Sequence, residues 1–174
     1  SFEGTTLLRA VAFKSGFLPS PVNTQTYLFS EDVLMQFPTW DTALSDFRPA
    51  TEIIQATAQD AEVTKDGIDR NAVRQGLTSI PFVSLVMDSQ SLTFLLAHPE
   101  KTGKDSERPV SFEMIYPNGD ESGAQVNAGV RTFGEISDST PSFRLSFRSK
   151  YGATKFDYPL FPTSPSGTFD TLIL

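Results

Sequence analysis

Basic and aromatic side chains recur near the end of the sequence, in the stretch RLSFRSKYGATKFDY, where they could bind an anion or a sugar. Arg144 and Arg148 fall on one face of a predicted strand, and Lys155 and Tyr158 follow in a turn-rich segment. Guanidinium and ammonium groups hold oxyanions, and an aromatic ring can stack on a ligand. These four residues are therefore candidate ligand-binding residues. The competing interpretation is structural, because cations on an alternating strand usually form a solvated face and aromatic residues usually pack.

An acidic loop, DAEVTKDGID, offers the ligands for a second kind of site. Asp60, Glu62, Asp66 and Asp69 supply the hard oxygen ligands that calcium prefers. Their spacing departs from the D-x-[DN]-x-[DN]-G calcium loop, so a solvated loop is the competing interpretation. No cofactor is firmly implied, and calcium is the candidate that this loop suggests.

Composition excludes several other kinds of chemistry. The chain has no cysteine, which excludes disulfides, a thiolate nucleophile and Cys-ligated metals. The single histidine, His98, cannot build a His-ligated zinc site and is interpreted as a surface-loop residue. Gly129 and Gly134 flank a predicted strand, so they are interpreted as bulge or turn residues rather than as a phosphate-binding loop.

Charge and hydropathy limit the partners. The formal net charge is -7, which disfavours non-specific attraction to nucleic acid or to an anionic membrane surface. No apolar run approaches the roughly 20 residues that span a bilayer. We therefore expect neither a nucleic-acid partner nor a membrane span.

The elements that must position the candidate residues are predicted to be mainly β-strands. A hairpin is indicated by TTLLRAVAF and VNTQTYLF on either side of a Gly- and Pro-rich turn, and a second by the two strands around PNGD. The run IPFVSLVMD is typical of a buried strand, and short helices are predicted near residues 51–58 and 70–78. The predicted fold class is mainly β with one or two short helices (α+β), its antiparallel hairpins forming a twisted sheet or sandwich.

Alternation along two strands predicts the core. Residues 110, 112, 114 and 116 share one strand face, and Phe143, Leu145 and Phe147 share another. The stretch RSKYGATKFDYPLFP leaves the second of these strands, and we predict that it packs over a core edge rather than forming a ligand platform. The packing residues would be Tyr151, Phe156, Tyr158, Leu160 and Phe161.

Three ordered motifs carry a resemblance to a known family. The segments VNAGVRTFG, SFRLSFRSKYGATKFDYPLFP and FDTLIL, preceded by SIPFVSLVMD and ERPVSFEMIYPNGD, resemble the N-terminal half of the CotH family, the spore-coat-protein-H-like atypical kinases and their extracellular bacterial relatives. The likeness covers residues 66–174. Residues 5–29 resemble the end of a chitobiase C-terminal-like β-sandwich module. The expected organisation is therefore the end of such a module at 1–31, a connecting segment at 32–65, and a truncated CotH-like β-rich region at 66–174.

The resemblance implies an extracellular or cell-surface location and a larger parent chain. It also bears on kinase chemistry, which needs a cation for the phosphates and aspartates for metal and acceptor. The family has a Pro-Lys pair before the SFRL strand, where this chain has Thr140 and Pro141. The family's aspartates lie beyond its LvLR segment, within which this sequence ends. We therefore expect an incomplete kinase site, and a fragment or processed product, since the chain also begins without Met.

Three functions remain open from the sequence. The preferred one is a non-catalytic β-rich scaffold or recognition module of a larger extracellular bacterial CotH-like protein. The second is an enzyme, either a metal-assisted hydrolase or a remnant phosphotransferase. The third is an adhesion or carbohydrate-contact module, which would need exposed aromatic rings at Trp40, Tyr116, Tyr151 and Tyr158. The strands that begin at TTLLRA and end at TLIL are candidate free edges through which the chain could also self-associate.

Overall fold

A computed structural model of the chain describes residues 3–29, 32, 75–76, 78–117, 123–134, 142–161 and 167–174. Within these residues the fold is mainly β with antiparallel strands, as the sequence predicts. The predicted helix near 51–58, most of that near 70–78, Trp40, the PNGD turn after Pro117, and the calcium candidates Asp60, Glu62, Asp66 and Asp69 lie outside the described residues. The elements are β1 (Thr6–Ala10), β2 (Asn23–Tyr27), β3 (Phe82–Val86), α1 (Ser89–Ala97), β4 (Arg108–Ile115), β5 (Ala124–Phe133), β6 (Ser142–Ser146), β7 (Phe156–Asp157), β8 (Thr168–Phe169) and β9 (Thr171–Ile173).

The main sheet has five antiparallel strands in the order β3-β4-β5-β6-β9. Strands β4 and β5 form the predicted long hairpin and occupy the centre of the sheet. The C-terminal strand β9 pairs with β6, so that the two ends of the described sheet are β3 and β9. The predicted hairpin near the start of the chain is also present, as the separate two-stranded sheet β1-β2.

The hydrophobic core covers one face of the main sheet, which we call the core face. Directly paired residues point to the same side of a sheet, so the register places Phe112 with Val126 and Leu145 with Val130 on this face. All the residues predicted for the core from strand alternation are buried or packed against it, and Phe112 and Leu145 are nearly inaccessible. The alternating pattern therefore predicts the core correctly.

The opposite side, which we call the polar face, carries Glu107, Ser111 and Glu113 from the β4 segment. The hairpin β1-β2 lies against it, and hydrogen bonds hold it there. Thr26 donates its backbone N–H to Glu113 Oε1 over 3.2 Å, and Asn127 Nδ2 donates to the carbonyl of Val22 over 2.9 Å. Both faces of the sheet are therefore covered near the middle of β4, which buries polar as well as apolar side chains.

Helix α1 is an element that sequence analysis did not predict. Asp88 caps it, accepting a hydrogen bond from the Ser91 N–H over 2.8 Å, and Leu95 packs into the core. The helix ends at His98, whose ring lies edge-on to Phe94 at 5.1 Å. The histidine is thus a half-buried helix-end residue, not the loop residue expected, because helix α1 extends to the residue before it.

The aromatic stretch after β6 packs largely as predicted. Phe156 is buried and its ring stacks with Phe147 at 5.4 Å and Tyr158 at 5.6 Å, while Leu160 packs against the same cluster. Phe161 departs from the prediction, because it is 58% exposed and touches the edge of Phe169. Phe161 therefore lies outside the core cluster. Tyr151 also departs from the prediction, because its ring lies on the polar face beside Gly129 and not in the core cluster.

Candidate functional site

A buried carboxylate with two cationic partners lies on the polar face just before β4. Glu107 has a side chain only 1% exposed, and its Oε1 atom lies 3.2 Å from Arg148 Nε and 3.3 Å from Lys150 Nζ. Alternation places this glutamate on the same face as Ser111 and Glu113. Both cations come from the segment that leaves β6, so the ion pairs fasten that segment to the sheet.

A glycine makes room for this cluster. A Cβ atom on Gly129, in the middle of β5, would overlap the ring of Tyr151 and lie 2.7 Å from the Glu107 side chain. The glycine is therefore required by the close approach of these side chains, not by a bulge or a turn as predicted. Gly134, by contrast, has a φ of 82°, which agrees with the predicted turn.

The pKa values of the ionisable groups in this cluster favour the charged forms of the glutamate and the lysine at neutral pH. Burial by itself would raise the pKa of Glu107, but hydrogen bonds from Lys150 and Tyr151 and the charge of Arg148 outweigh it, so that the pKa lies below its usual value. The hydrogen bond with Tyr151 raises the pKa of Lys150, and burial raises the pKa of Tyr151. At neutral pH the glutamate is ionised, the lysine is charged and the phenol is neutral.

A cavity of about 310 Å³ opens beside this cluster, between the hairpin β1-β2 and the polar face. We call it the Tyr151 cavity. Its size is at the lower end of the range for small-ligand sites. It is lined by Arg9, Pro21, Val22, Met87, Asp88, Pro109, Val110, Ser111, Asn127, Ala128, Lys150 and Tyr151. Apolar walls with a few hydroxyl, amide and charged groups are what a polar small ligand requires.

The carboxylate in the wall of this cavity is already engaged. Burial acts to raise the pKa of Asp88, but the hydrogen bonds from Ser91 lower it more strongly, and the net pKa is below the usual value. Asp88 is therefore an ionised cap of α1 at neutral pH. A carboxyl with a lowered pKa is poorly suited to donate a proton as a general acid.

A second cavity, of about 300 Å³, lies beside β2, and its lining includes Asn23 and Gln25 from the hairpin and Tyr116 from the end of the β4 segment. Glu113 is part of its lining. That carboxylate accepts hydrogen bonds from both the backbone and the hydroxyl of Thr26. Its described lining residues include no cation, so they offer less to an anionic or zwitterionic ligand than those of the Tyr151 cavity do.

The structure divides the four predicted ligand residues into two groups. Arg144 and Arg148 belong to the polar face or its edge. Arg144 stands directly opposite Arg131 in the β5-β6 register, with its guanidinium 5.8 Å from the Phe133 ring centroid, and Arg148 pairs with Glu107. Like charges directly opposite each other in a sheet repel.

Lys155 and Tyr158 lie with the aromatic stretch instead. Lys155 Nζ is 3.4 Å from Asp170 Oδ1, in a pair with both side chains largely exposed, and Tyr158 stacks on Phe156 against the core. The predicted anion or sugar site between these two residues therefore has a carboxylate beside its cation. Strand alternation could not reveal this separation, because it depends on the path of the turn after β6.

Glu107 and Asp88, which lie at this site, were not singled out from the sequence. Tyr151 was named there as a packing residue and as one of the rings that a carbohydrate-contact module would expose. The segment ERPVSFEM carried a usable signal, since its two glutamates alternate with Val110 and Phe112 and so face the polar side. What remained hidden was the partner of each carboxylate. Those partners come from residues distant in sequence, such as Lys150 and Thr26.

No family model matches the chain, and neither a curated protein nor a solved structure shows significant similarity to it. Among the residues that the structure describes, there is no group of three or more His, Cys, Asp or Glu side chains arranged to hold a metal ion. In the same residues no helix is long and apolar enough to cross a membrane.

Proposed function

We propose that this chain is a non-catalytic recognition module of a larger extracellular or cell-surface bacterial protein of CotH-like type, and that it binds a small acidic saccharide in the Tyr151 cavity. The observation that carries the proposal is this cavity, which combines cations, hydrogen-bonding groups and an aromatic ring on a rigid sheet. The resemblance of the motifs described above to the CotH family supports the parts of the proposal that concern a larger parent protein and an extracellular or cell-surface location.

The carboxylates around the cavity favour binding over acid-base catalysis. Glu107 is neutralised by two cations and Asp88 by helix α1, and both have a lowered pKa. Acid-base catalysis at neutral pH instead favours a carboxyl whose pKa is raised toward the working pH. The two groups therefore serve as fixed charges that hold the walls of the cavity.

The class of ligand follows from the groups that face the cavity. Arg9 and Lys150 attract a carboxylate. Ser111 and Asn127 already bond to Gln125, and Asn127 also to the Val22 carbonyl, but each retains an O–H or N–H hydrogen for a sugar hydroxyl. The half-buried Tyr151 ring lines the cavity with Lys150 Nζ 4.5 Å from its centroid, and it is the aromatic group that a pyranose would contact there. A uronic-acid sugar carries all the matching groups in one small molecule.

Calorimetric titration with an oligogalacturonate tests the proposal, with the uncharged galactose oligomer of equal length as the matched probe. We expect the acidic oligomer to bind and the neutral one to bind at least about tenfold more weakly, because the ionic contacts are lost. Arg9→Gln should reduce affinity for the acidic oligomer, since Arg9 is exposed and has a lining position in the cavity. Its fold should be unchanged.

Lys14→Gln is the matched control, because it removes the same charge from the same hairpin outside the cavity. If Arg9→Gln and Lys14→Gln bind the oligogalacturonate with equal affinity, the cavity is not the site. If the acidic and neutral oligomers bind equally, or if neither binds, the acidic-saccharide proposal is wrong.

We also propose that the chain self-associates through its strand edges. β9 ends the five-stranded sheet and β1 ends the hairpin sheet, within the described residues, and both carry exposed apolar side chains such as Leu8 and Ile173. Unpaired strand edges are templates for pairing with another copy.

A further inference from the structure

The turn of the hairpin β1-β2 has the most exposed apolar side chains of the described residues. Phe13 is 76%, Phe17 68% and Leu18 93% exposed, and every residue from 8 to 21 is exposed. Isolated apolar side chains on a surface are ordinary, but three large ones on one projecting turn mark an interaction site. We call this turn, residues 11–21, the apolar tip.

The apolar tip is ordered by its own hydrogen bonds. The Phe17 N–H donates to the Lys14 carbonyl over 3.0 Å, and Ser20 closes the turn by donating to the Ala12 carbonyl over 3.0 Å. Ser20 Oγ in turn accepts from the Ala12 N–H over 2.9 Å. Gly16 supplies the positive φ that the turn needs, 81°. The apolar side chains are therefore presented in a fixed arrangement, which lowers the entropic cost of binding.

The hairpin that carries the tip is fastened at its other end. Thr26 is bound to Glu113, and Asn127 is bound to the Val22 carbonyl, so the strands rest on the polar face while the turn extends beyond it. A tip that is rigid and anchored in this way can insert its apolar side chains into the surface of a lipid bilayer.

The hairpin β1-β2 carries a net positive charge, whereas the whole chain carries a net negative charge. No acidic residue occurs between Glu3 and Glu31, whereas Arg9 and Lys14 are both present, although the whole chain has a net charge of -7. Lys14 also lies over the Phe17 ring at 4.6 Å, which places a cation beside the apolar side chains. The argument from net charge against an anionic membrane surface therefore does not apply to this hairpin.

We infer that the apolar tip docks on an anionic lipid bilayer, with Phe13, Phe17 and Leu18 in the acyl boundary and Lys14 at the headgroups. Aromatic and aliphatic side chains gain free energy from leaving water at this depth, and each nearby cation is attracted by acidic lipids. The tip lies on the bilayer and does not span it. This docking is independent of the saccharide site.

Sedimentation with vesicles of phosphatidylcholine containing about 30% phosphatidylglycerol tests the inference against vesicles of phosphatidylcholine alone. We expect the chain to sediment with the acidic vesicles and at least about tenfold less with the neutral ones, and added salt should weaken the binding. The double variant Phe17→Ser with Leu18→Ser should lose binding. Both side chains are exposed, so its melting temperature should be that of the wild type.

Ile80→Ser is the matched control, because it removes an exposed apolar side chain that lies outside the tip and outside the proposed strand edges, and it should leave vesicle binding unchanged. A Phe17→Trp variant reports depth, and its emission should shift to shorter wavelength when acidic vesicles are added, beyond any shift of the wild type. Equal sedimentation of the double variant and the wild type would overturn the inference, as would a wild type that does not bind acidic vesicles. A wild type that instead forms oligomers lost in the double variant would assign the tip to a protein partner and overturn it equally.

Discussion

Glu107 and Arg148 form an ion pair across the polar face, with Oε1 3.2 Å from Nε, and the glutamate side chain is almost completely buried. The arginine follows β6 and the glutamate precedes β4, so the pair joins segments that are not neighbours in the sheet. It sets the position of the next residues of the turn, Lys150 and Tyr151, which line the cavity. The ion pair between Glu107 and Arg148 therefore holds the candidate site as well as the segment that leaves β6.

The first prediction concerns Glu107→Gln. Because the variant leaves two cations without their carboxylate, its free energy of unfolding at pH 7 should fall by about 1 to 2 kcal/mol, a figure limited by the access of both cations to water. Urea denaturation measures it. Glu100→Gln, at an exposed glutamate, should have no comparable effect.

The same pair predicts a dependence on pH. The pKa of Glu107 is lower in the folded chain than its ordinary value of 4.5, so its contribution is complete above that value and is lost as the pH falls through the folded pKa. The stability difference between the wild type and Glu107→Gln should therefore shrink below about pH 4.5. A difference that stays constant down to about pH 2 would contradict the assigned ionisation.

Gly129→Ala tests the close packing of the turn on β5. The added methyl would overlap Tyr151 and Glu107, so we expect a loss of about 1 to 3 kcal/mol from overpacking. Gly167→Ala is the control, since no atom lies within 4 Å of its Cβ position and the glycine is exposed. Thermal melts of the two variants compare them, and equal melting temperatures would argue against the packing described.

The aromatic stretch gives a paired test of burial. Phe156→Ala should cost about 3 to 5 kcal/mol, because the ring is buried between Phe112, Phe147 and Tyr158. Phe161→Ala should cost much less, since its ring is largely exposed. Lys155→Ala should change stability by no more than about 0.5 kcal/mol, because its ion pair with Asp170 is in water. Chemical denaturation that ranked Phe161→Ala with Phe156→Ala would contradict this account.

Thr26→Val tests how the hairpin is held on the sheet. Valine keeps the shape of threonine but removes the hydroxyl that donates to Glu113 and lies 2.9 Å from Ser84 Oγ. We expect a loss of about 1 to 3 kcal/mol, because a buried carboxylate loses one of its donors. Amide exchange should also become faster in β1 and β2 than in β5. Unchanged exchange in the hairpin would mean that this contact does not anchor it.

Self-association has its own measurement. Wild-type chain should show a concentration-dependent rise in sedimentation coefficient, and Ile173→Lys should abolish it, because a charge on an edge strand opposes pairing with another copy. The side chain is 55% exposed, so the substitution should leave the fold intact. A wild type that remains monomeric at high concentration would rule out pairing at this edge.

The sequence by itself determined the strands and the core. Period-two alternation in SFRLSF and VSFEMIY decides which side chains leave water, and this is enough to place Phe112, Leu145 and Phe147 in one core. The pairing of β4 with β5 and of β1 with β2 was predicted from Gly- and Pro-containing turns between strands adjacent in sequence. Helix α1 escaped detection because it is only nine residues long and its apolar side chains, bunched within 92–97, do not show a clear helical period.

Tertiary structure alone decided which polar groups meet. Alternation puts Glu107 and Glu113 on the polar face, but the donors that hold them, Lys150 and Thr26, come from opposite ends of the chain. The separation of Arg148 from Lys155 is likewise set by the path of the turn after β6, and not by the period-two alternation of the strand. Hydrophobic burial is non-directional and can be read from local pattern, whereas ion pairs and cavities depend on distances between segments that only the folded chain brings together.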